Sequence, residues 1–575
     1  MDYRQQYTSW MNYDGLDAQI KAELESIAQD DNEIKERFYK DLEFGTAGLR
    51  GILGAGINRM NIYTVRRATQ GLASFIVSSG QEAMNSGVVI SYDSRINSTL
   101  FAEETARVLA ANGIHVYLSN RLRPVPELSF AVRYFGAFAG VMITASHNPP
   151  KYNGYKVYGK DGGQLPLAEA DTVLQFIEKT DIFHGVQLCD LEEAISSGVV
   201  KRFGDELDEA FLDEVVKQQV NPEVMQVMKD FQIVYTPIHG SGNIPVRKVL
   251  ERIGVRHVEL VKEQVEPDGN FPTVDSPNPE NRSALEMAIA LAKEKNIDVL
   301  IGTDPDCDRV GVAVRDDSGE YLPLTGNMVG ALLVHYVLAG KKLNHTLPNN
   351  GVVIKTIVTS RMTDAICREF GVEVMNVLTG FKFIGEKIKE FEQTGEKTYL
   401  FGFEESYVYL AGTHARDKDA VVASMLIAEM AAWYQMRGMS LYQGLCELYQ
   451  KYGTYRERLL SITLEGADGL EKISCIMSEI RANPPKQLAG LDVVKVADYD
   501  SGTVKDVTTG SVTQTGLPKS NVLVFDLQQD TWVAMRPSGT EPKIKFYFGT
   551  KAENIEVAEA RLHEMENEIK ELIGE

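Results

Sequence analysis

One α/β pattern occurs three times in this chain, each time with polar side chains directly after its last strand, and this repetition constrains the fold most. The predicted strands lie at 88–94, 115–120 and 138–146, then at 231–240, 257–261 and 298–306, and finally at 351–360, 373–380 and 398–406. Because ligands bind beyond the carboxyl ends of strands in open α/β sheets, we expect the three polar loops to converge.

The repetition predicts an α/β fold with three related domains, each built on a mixed, mostly parallel sheet. After about residue 453, alternating strands are followed by a charged, amphipathic helix at 555–572, which predicts a smaller C-terminal α+β domain. We expect the four domains to surround a central cleft. Their predicted boundaries are 1–207, 208–324, 325–452 and 453–575.

Composition excludes several classes of protein. The formal net charge of −22 argues against a nucleic-acid binder, which needs a basic face. Five dispersed cysteines without a CxxC pair indicate neither a disulfide framework nor a zinc site, and they favour the reducing cytoplasm. The first residues do not resemble a signal peptide. The longest apolar stretch, Val421 to Trp433, contains Glu429 and is too short for a bilayer span, so we predict a packed helix and no membrane association.

The segment Thr144-Ala-Ser-His-Asn-Pro149 turns at the end of a buried strand, because two prolines follow it. Ser146 is therefore expected at a rigid strand tip. His147 is adjacent, but neighbouring side chains on extended chain point to opposite sides, so we predict no proton-transfer dyad between them. A turn hydroxyl that bonds only local backbone is the alternative.

The segment Gly302-Thr-Asp-Pro-Asp-Cys-Asp-Arg-Val310 places Asp304, Asp306 and Asp308 at a period of two, so in extended chain their carboxylates face one way. Three like charges need a cation, and hard oxygen ligands suit Mg²⁺ or Ca²⁺, with Mg²⁺ favoured where phosphate oxygens complete the site. An EF-hand loop is excluded because Arg309 and Arg315 occupy positions that require Gly and Glu. A solvated acidic turn is the alternative.

The segment Arg536-Pro-Ser-Gly-Thr-Glu-Pro-Lys-Ile-Lys545 gathers cationic groups, hydroxyls and a glycine amide, which is the chemistry of a phosphate-binding loop. It lacks the Walker pattern of nucleotide-binding loops. In Gly402-Phe-Glu-Glu-Ser406, Glu404 and Ser406 offer acceptors and a donor for sugar hydroxyls. Taken alone, either segment is also compatible with an ordinary polar turn.

These four segments, one in each predicted domain and in this order, closely resemble the α-D-phosphohexomutase superfamily and its phosphoglucomutase branch. The resemblance covers nearly the whole chain, since Phe44-Gly-Thr-Ala-Gly-Leu-Arg-Gly51 and Thr379-Gly-Phe-Lys-Phe-Ile384 also look like family segments. It implies an isomerase-class phosphotransferase that interconverts hexose 1- and 6-phosphates through a phosphoserine at Ser146. Glucose 1,6-bisphosphate is then expected as intermediate and activator.

The resemblance also assigns roles to individual residues. One Mg²⁺ ion would be held by a phosphoserine oxygen of Ser146 together with Asp304, Asp306 and Asp308. The remaining catalytic groups would be Arg309, which neutralises charge, Arg50 and His147, which assist, and Lys156 and Lys382, each either a base or a fixed positive charge. The phosphate anchor would comprise Arg536, Ser538, Gly539, Thr540 and Lys545, and the sugar clamp Glu404 and Ser406.

The sugar loop narrows the range of substrates that the resemblance implies. The Phe-Glu-Glu-Ser form of the sugar loop resembles glucose-type members, while phosphomannomutase and phosphopentomutase activities and the synthesis of hexose bisphosphate stay open. A noncatalytic sugar-phosphate sensor is a further alternative, but the intact set of three aspartates, serine and arginine argues against it. Outside this class, a metal-dependent phosphatase with an aspartyl nucleophile at Asp304 or Asp306 is the rival, and it would not need Ser146. We expect a small-molecule sugar phosphate as partner, no nucleic acid, and a monomer or homodimer.

Overall fold

The computed structural model describes residues 2–45, 48–464, 469–538 and 543–574. In the first segment the strands are β1 (Phe44–Gly45), β2 (Gly48–Ile52), β3 (Val88–Tyr92), β4 (Val116–Ser119), β5 (Ala139–Ile143), β6 (Tyr152–Gly159) and β7 (Val200–Phe203). Its helices are α1 (Tyr3–Met11), α2 (Ala18–Ser26), α3 (Asp31–Phe38), α4 (Ile62–Ser78), α5 (Gln81–Ser86), α6 (Ser98–Ala111), α7 (Val125–Tyr134), α8 (Leu167–Lys179), α9 (Leu191–Ser196) and α10 (Asp205–Val216).

Two further α/β segments follow. The second contains β8 (Gln232–Thr236), β9 (His257–Leu260), β10 (Val299–Thr303), β11 (Val310–Arg315), β12 (Tyr321–Leu324), α11 (Val224–Val227), α12 (Asn243–Arg252), α13 (Lys262–Val265) and α14 (Arg282–Lys295). The third contains β13 (Gly351–Thr356), β14 (Glu373–Val377), β15 (Thr398–Glu404), β16 (Val408–Ala411), α15 (Gly326–Leu343), α16 (Met362–Phe370), α17 (Phe381–Thr394), α18 (Ala420–Met436) and α19 (Leu441–Tyr452).

The three α/β sheets share one strand order, in which the first parallel strand of each set lies between the second and the third. The order is β4-β3-β5, β9-β8-β10 and β14-β13-β15, with all of these pairs parallel. Antiparallel neighbours β6 and β11 extend the first two sheets. This common order confirms the predicted three related α/β parts with mixed sheets. The parallel strands form the centre of each sheet, but the first sheet has as many antiparallel pairs as parallel ones, so the expectation of mostly parallel sheets does not hold there.

The central strands are apolar because both faces of their sheets are covered. Every residue of β3, β5 and β10 is buried, as expected for parallel strands with helices on both sides. The chain becomes polar where these strands end, at residues 144–151 after β5 and 304–309 after β10. The fold therefore presents the serine segment and the acidic segment at the carboxyl ends of parallel strands.

The last segment is an α+β part, as predicted. Its elements are β17 (Thr454–Thr463), β18 (Gln487–Leu488), β19 (Leu491–Asp498), β20 (Thr503–Asp506), β21 (Val512–Gln514), β22 (Leu523–Leu527), β23 (Trp532–Pro537), β24 (Lys543–Ala552), α20 (Gly469–Ala482) and α21 (Ile555–Ile573). The sheet order is β17-β24-β23-β22-β19-β20-β21, with β18 on β19. Met477 of α20 and Leu562 and Met565 of α21 belong to its buried core.

The chain divides into two compact units. One comprises residues 1–323, 385–393 and 406–437, and it holds the first two sheets. The other comprises residues 324–384, 394–405 and 438–575, and it holds β13, β14, β15 and the C-terminal sheet.

The apolar stretch around Val421 forms the packed helix that was predicted. In α18 nearly every residue is buried, and Glu429 is accommodated because its carboxylate accepts a hydrogen bond from Val220 N–H at 2.9 Å. None of the described helices is both long and apolar enough to cross a bilayer.

A half-buried carboxylate on β17 makes the stability of the second unit depend on pH. Burial raises the pKa of Glu457 to about 7, which outweighs the opposing effects of Ser360 and Arg456. A raised folded-state pKa means that stability is lost as pH rises from about 4.5 to 7. We expect Glu457→Gln to stabilise the protein by about 2 kcal/mol at pH 8 and much less at pH 5, measured by thermal unfolding. The exposed Glu564→Gln should show no such pH-dependent difference.

Candidate active site

The serine segment is a rigid, buried turn after β5. Ser146 has a φ of +52° and is 3% exposed, and its N–H donates to Thr144 Oγ1 at 2.8 Å. The Arg95 guanidinium donates to four main-chain carbonyls of this turn, those of Ser146 (2.6 Å), Asn148, Pro149 (3.1 Å) and Tyr152 (3.0 Å). These bonds fix the turn at the positive φ that a residue other than glycine adopts only when its surroundings impose it.

The Ser146 hydroxyl faces the acidic segment. Its Oγ donates to Asp304 Oδ2 at 2.9 Å and also lies 3.2 Å from His147 Nδ1. The expectation that the Ser146 and His147 side chains point apart is therefore wrong. It assumed extended backbone, whereas the left-handed φ of Ser146 turns both side chains to the same side.

The acidic segment brings three carboxylates together in the loop between β10 and β11. Oxygen atoms of Asp304, Asp306 and Asp308 all lie within 4.8 Å of one another, and all three residues are buried. Convergence was predicted from extended chain, but the loop is a turn in which Cys307 has a φ of +51°. Cys307 itself is fully buried.

Each carboxylate has its own partners. Asp304 Oδ1 accepts hydrogen bonds from the main-chain N–H groups of Asp308 (3.1 Å) and Arg309 (3.0 Å). Asp306 Oδ2 lies 2.9 Å from Lys156 Nζ and 3.1 Å from the Thr144 hydroxyl. Asp308 Oδ2 lies 3.2 Å from Lys418 Nζ and 3.6 Å from Lys156 Nζ.

The electrostatics of this cluster suit a divalent cation. Burial and the neighbouring Asp306 and Asp308 charges hold the pKa of Asp304 well above its usual range, because three carboxylates this close cannot all ionise without a counter-charge. Burial alone would raise the pKa of Asp308, but Lys418, Lys156 and Arg309 outweigh it and lower the pKa. Asp306 and Asp308 each keep a buried Oδ1 that no hydrogen bond from the described residues satisfies. These hard oxygen atoms fit a site for a hard divalent cation.

Cationic side chains surround His147. Burial lowers the pKa of His147 well below its usual value, and the Arg309 and Arg50 guanidinium groups lower it further, so the imidazole is neutral. Arg309 pairs with Glu280 and donates to the Ser406 carbonyl at 3.3 Å. Arg50 is exposed on β2, with Nη1 3.5 Å from Asn148 Oδ1. Arg309 and Arg50 therefore place positive charge near His147.

The remaining predicted site residues belong to the second unit. Glu404 is buried, and its Oε1 accepts a hydrogen bond from Gly380 N–H at 2.7 Å. Lys382 Nζ lies 5.0 Å from the Phe383 ring centroid. Arg536 and Lys545 are opposite each other on β23 and β24, and Ser538 N–H donates to the Lys543 carbonyl at 2.7 Å. Gly539 and Thr540 lie outside the described residues.

Several residues of the site were not predicted from the sequence. Lys418 contacts Asp308, Arg95 binds the serine turn, and Glu280 pairs with Arg309. For Lys418 a signal was present, because Arg416-Asp-Lys-Asp419 is a run of charges immediately before the apolar helix α18. Arg95 and Glu280 have no comparable local pattern, since their partners are distant in sequence.

A glycine of β6 lies too close to the serine turn to carry a side chain. A Cβ at Gly154 would lie 2.4 Å from the Thr144 carbonyl oxygen and 2.8 Å from that of Leu49, and both are backbone atoms that cannot move aside as a flexible side chain can. We expect Gly154→Ala to lower the free energy of unfolding by about 2 kcal/mol, measured by chemical denaturation. Gly159→Ala in the same strand is the control, since its Cβ would meet only side-chain atoms at van der Waals distance, the nearest being Asp161 Oδ1 at 3.4 Å. An equal loss in both variants would contradict this explanation.

Three family models match successive parts of the chain. They describe phosphoglucomutase/phosphomannomutase α/β/α domain I at residues 41–182, domain II at residues 209–319 and domain III at residues 325–452. The matched segments contain Ser146, the three aspartates and Glu404, in that order.

Related proteins give the same result over most of the chain. A phosphoglucomutase of Staphylococcus aureus strain USA300 is 38% identical over 540 residues, which cover 93% of this chain and 94% of the relative. Two solved structures have a similar fold, with TM-scores of 0.65 and 0.68. The first is a phosphoglucomutase/phosphomannomutase family protein of Burkholderia thailandensis, at 18% identity over 92% of this chain and 97% of that one. The second is pp63/parafusin, a phosphoglucomutase from Paramecium, at 16% identity over 93% and 95%. The chain belongs to the phosphoglucomutase/phosphomannomutase family.

Proposed function

We propose that the chain is a phosphoglucomutase that reversibly interconverts α-D-glucose 1-phosphate and glucose 6-phosphate, with Ser146 as phosphoryl carrier and glucose 1,6-bisphosphate as intermediate. The observation that carries this proposal is the Ser146 hydroxyl, buried and 2.9 Å from an aspartate of a three-carboxylate cluster. The full-length similarity to phosphoglucomutases supports the choice of reaction.

The reaction would consist of two transfers of a phosphoryl group. In the first, the bond between Ser146 Oγ and phosphorus breaks, the serine oxygen keeps the electron pair, and a free sugar hydroxyl forms the new bond to phosphorus. The hydroxyl proton passes to a base. In the second, the Ser146 oxygen attacks the other phosphate of the bisphosphate, the bond between that phosphorus and the sugar oxygen breaks, and the sugar oxygen takes a proton back from the base, which leaves the isomeric monophosphate. Such transfers depend on positioning and on neutralisation of charge more than on covalent chemistry.

Asp304, Asp306 and Asp308 would hold one Mg²⁺ ion together with an oxygen of the serine phosphate. The unsatisfied buried Oδ1 atoms of Asp306 and Asp308 support this assignment. Bound there, the ion would neutralise negative charge on the phosphoryl group. Arg309, already held by Glu280, would add a second positive charge on the same side.

Lys156 and His147 are the groups best placed to move protons in the first unit. Lys156 reaches the carboxylate cluster at 2.9 Å, and the neutral His147 ring lies 3.2 Å from Ser146 Oγ, where it can accept a proton. Arg50 would contribute positive charge. Lys382, in the second unit, stays a candidate base or a phosphate-binding cation.

Glu404 with Ser406 would bind the sugar hydroxyls, and Arg536, Ser538, Gly539, Thr540 and Lys545 the phosphate that does not react. The pairing of Arg536 with Lys545 across β23 and β24 supports a basic anchor.

We further propose four domains at 1–207, 208–324, 325–452 and 453–575. All five cysteines are free thiols, which supports a cytoplasmic location, and we propose a monomer or homodimer.

The aspartyl phosphatase is the weaker candidate. Both oxygens of Asp304 are engaged, one by the Ser146 hydroxyl and the other by two main-chain N–H groups, which does not favour nucleophilic attack by this carboxylate. Such an enzyme would also have no use for a buried serine facing the cluster.

A substrate panel tests the proposal. Purified protein with Mg²⁺ and trace glucose 1,6-bisphosphate is assayed on glucose 1-phosphate, mannose 1-phosphate and ribose 1-phosphate, with inorganic phosphate measured in parallel. We expect the highest kcat/KM for glucose 1-phosphate and little phosphate release. Faster turnover of mannose or pentose phosphate would reassign the substrate, and phosphate release without isomerisation would overturn the mutase assignment.

A further inference from the structure

Residues 266–281 form a loop of the second α/β segment that packs against the serine turn of the first. At Gly269 the backbone of the loop approaches the backbone of residues 95 and 96 so closely that a Cβ would lie 2.5 Å from Ile96 N and 2.9 Å from the Arg95 carbonyl carbon. This contact is therefore specific to glycine, and it places the loop directly on the residue that binds the serine turn.

The same loop supports the Arg95 side chain. Phe271 is fully buried with a φ of +46°, and the Arg95 guanidinium carbon lies 5.0 Å from its ring centroid. A guanidinium over an aromatic ring is held by a cation–π interaction. Because this guanidinium donates to four carbonyls of the serine turn, Phe271 orients the group that holds Ser146 in place.

A direct hydrogen bond completes the contact. Ser276 Oγ donates to the His147 carbonyl at 2.8 Å, one residue beyond Ser146. The loop is itself anchored, since Thr273 Oγ1 lies 2.9 Å from both His239 Nε2 and Gln264 Nε2. The loop is thus tied by hydrogen bonds to the segment after β8 and to α13.

We propose that loop 266–281 positions the Ser146 turn for phosphoryl transfer, with Ser276 and Phe271 as positioning residues. Ser146 needs such support, because a residue other than glycine keeps a positive φ only when its surroundings hold the backbone in that conformation. The catalytic consequence rests on the proposed function, whereas the mechanical role of the loop does not.

The test compares Ser276→Ala with Ser276→Thr, which keeps the hydroxyl, and with Ser318→Ala, a serine on an exposed turn. Amide hydrogen exchange is measured in peptides covering 144–153, and kcat and KM are measured with glucose 1-phosphate. We expect Ser276→Ala to speed exchange about tenfold in the serine turn only, and to lower kcat about tenfold with KM within about twofold. The Thr variant should restore both, and Ser318→Ala should change neither.

Gly269→Ala is a second, independent variant, because its Cβ would push the loop away from Arg95. It should give the same local increase in exchange. Unchanged exchange at 144–153 in both variants, or an equal increase throughout the chain without rescue by Ser276→Thr, would overturn the proposal. If the parent protein failed to convert glucose 1-phosphate, the proposed function would fail, and the exchange measurement would still decide the role of the loop.

Discussion

The Ser146→Ala variant is expected to lose conversion of glucose 1-phosphate to glucose 6-phosphate by at least about 10³-fold, because it removes the only atom proposed to carry the phosphoryl group. The fold should survive, because among the described residues the Ser146 Oγ has hydrogen-bond contacts only with Asp304 and His147. Activity is measured with a dehydrogenase-coupled assay, and phosphorylation by intact-mass spectrometry after incubation with glucose 1,6-bisphosphate. The parent should gain one phosphoryl group and the variant none.

Ser318→Ala provides the matched control, because it makes the same chemical change on an exposed turn. It should keep parental activity and phosphorylation. Turnover that persists in Ser146→Ala, above all release of inorganic phosphate at an undiminished rate, would sink the serine-carrier mechanism. The aspartyl phosphatase would then become the leading explanation.

The second large effect is expected at the carboxylate cluster. Chelation should abolish activity and added Mg²⁺ should restore it, while Asp306→Asn should lose about 10²-fold or more at any Mg²⁺ concentration. The reason is that two carboxylate oxygens of this cluster, Oδ1 of Asp306 and Oδ1 of Asp308, are buried and accept no hydrogen bond from the described residues. Replacing the Asp306 carboxylate by an amide would weaken its binding to the cation. Thermal unfolding gives a readout independent of turnover, since Mg²⁺ should stabilise the parent and have much less effect on the variant.

The control for the cluster is Asp230→Asn, which changes an exposed aspartate outside the site. Its activity and its stabilisation by Mg²⁺ should match those of the parent. Full activity after exhaustive chelation, or the same Mg²⁺-dependent shift in Asp306→Asn as in the parent, would contradict a metal site at Asp304, Asp306 and Asp308.

Local pattern was sufficient to predict much of this protein. Buried parallel strands are apolar along their whole length, so β3, β5 and β10 were visible as runs that stop abruptly at polar residues. The three aspartates lie within five residues of one another, so a turn or an extended chain brings them together equally well. The sequence by itself thus determined the layered α/β class, the repeated sheet and the clustering of the three carboxylates.

Only the tertiary structure shows which residues from distant parts of the chain come into contact. Ser146 and Asp304 are 158 residues apart, and Lys418 reaches Asp308 from a third part of the chain, contacts that depend on how sheets pack against each other. The contact between Ser146 and His147 was mispredicted because backbone sterics favour negative φ, whereas Arg95 holds the turn at positive φ through four carbonyls. Hydrophobic periodicity indicates which face of a helix or strand is buried. It contains no information about polar residues, distant in sequence, whose hydrogen bonds and ion pairs hold a loop in place. Such residues position the loops of this site.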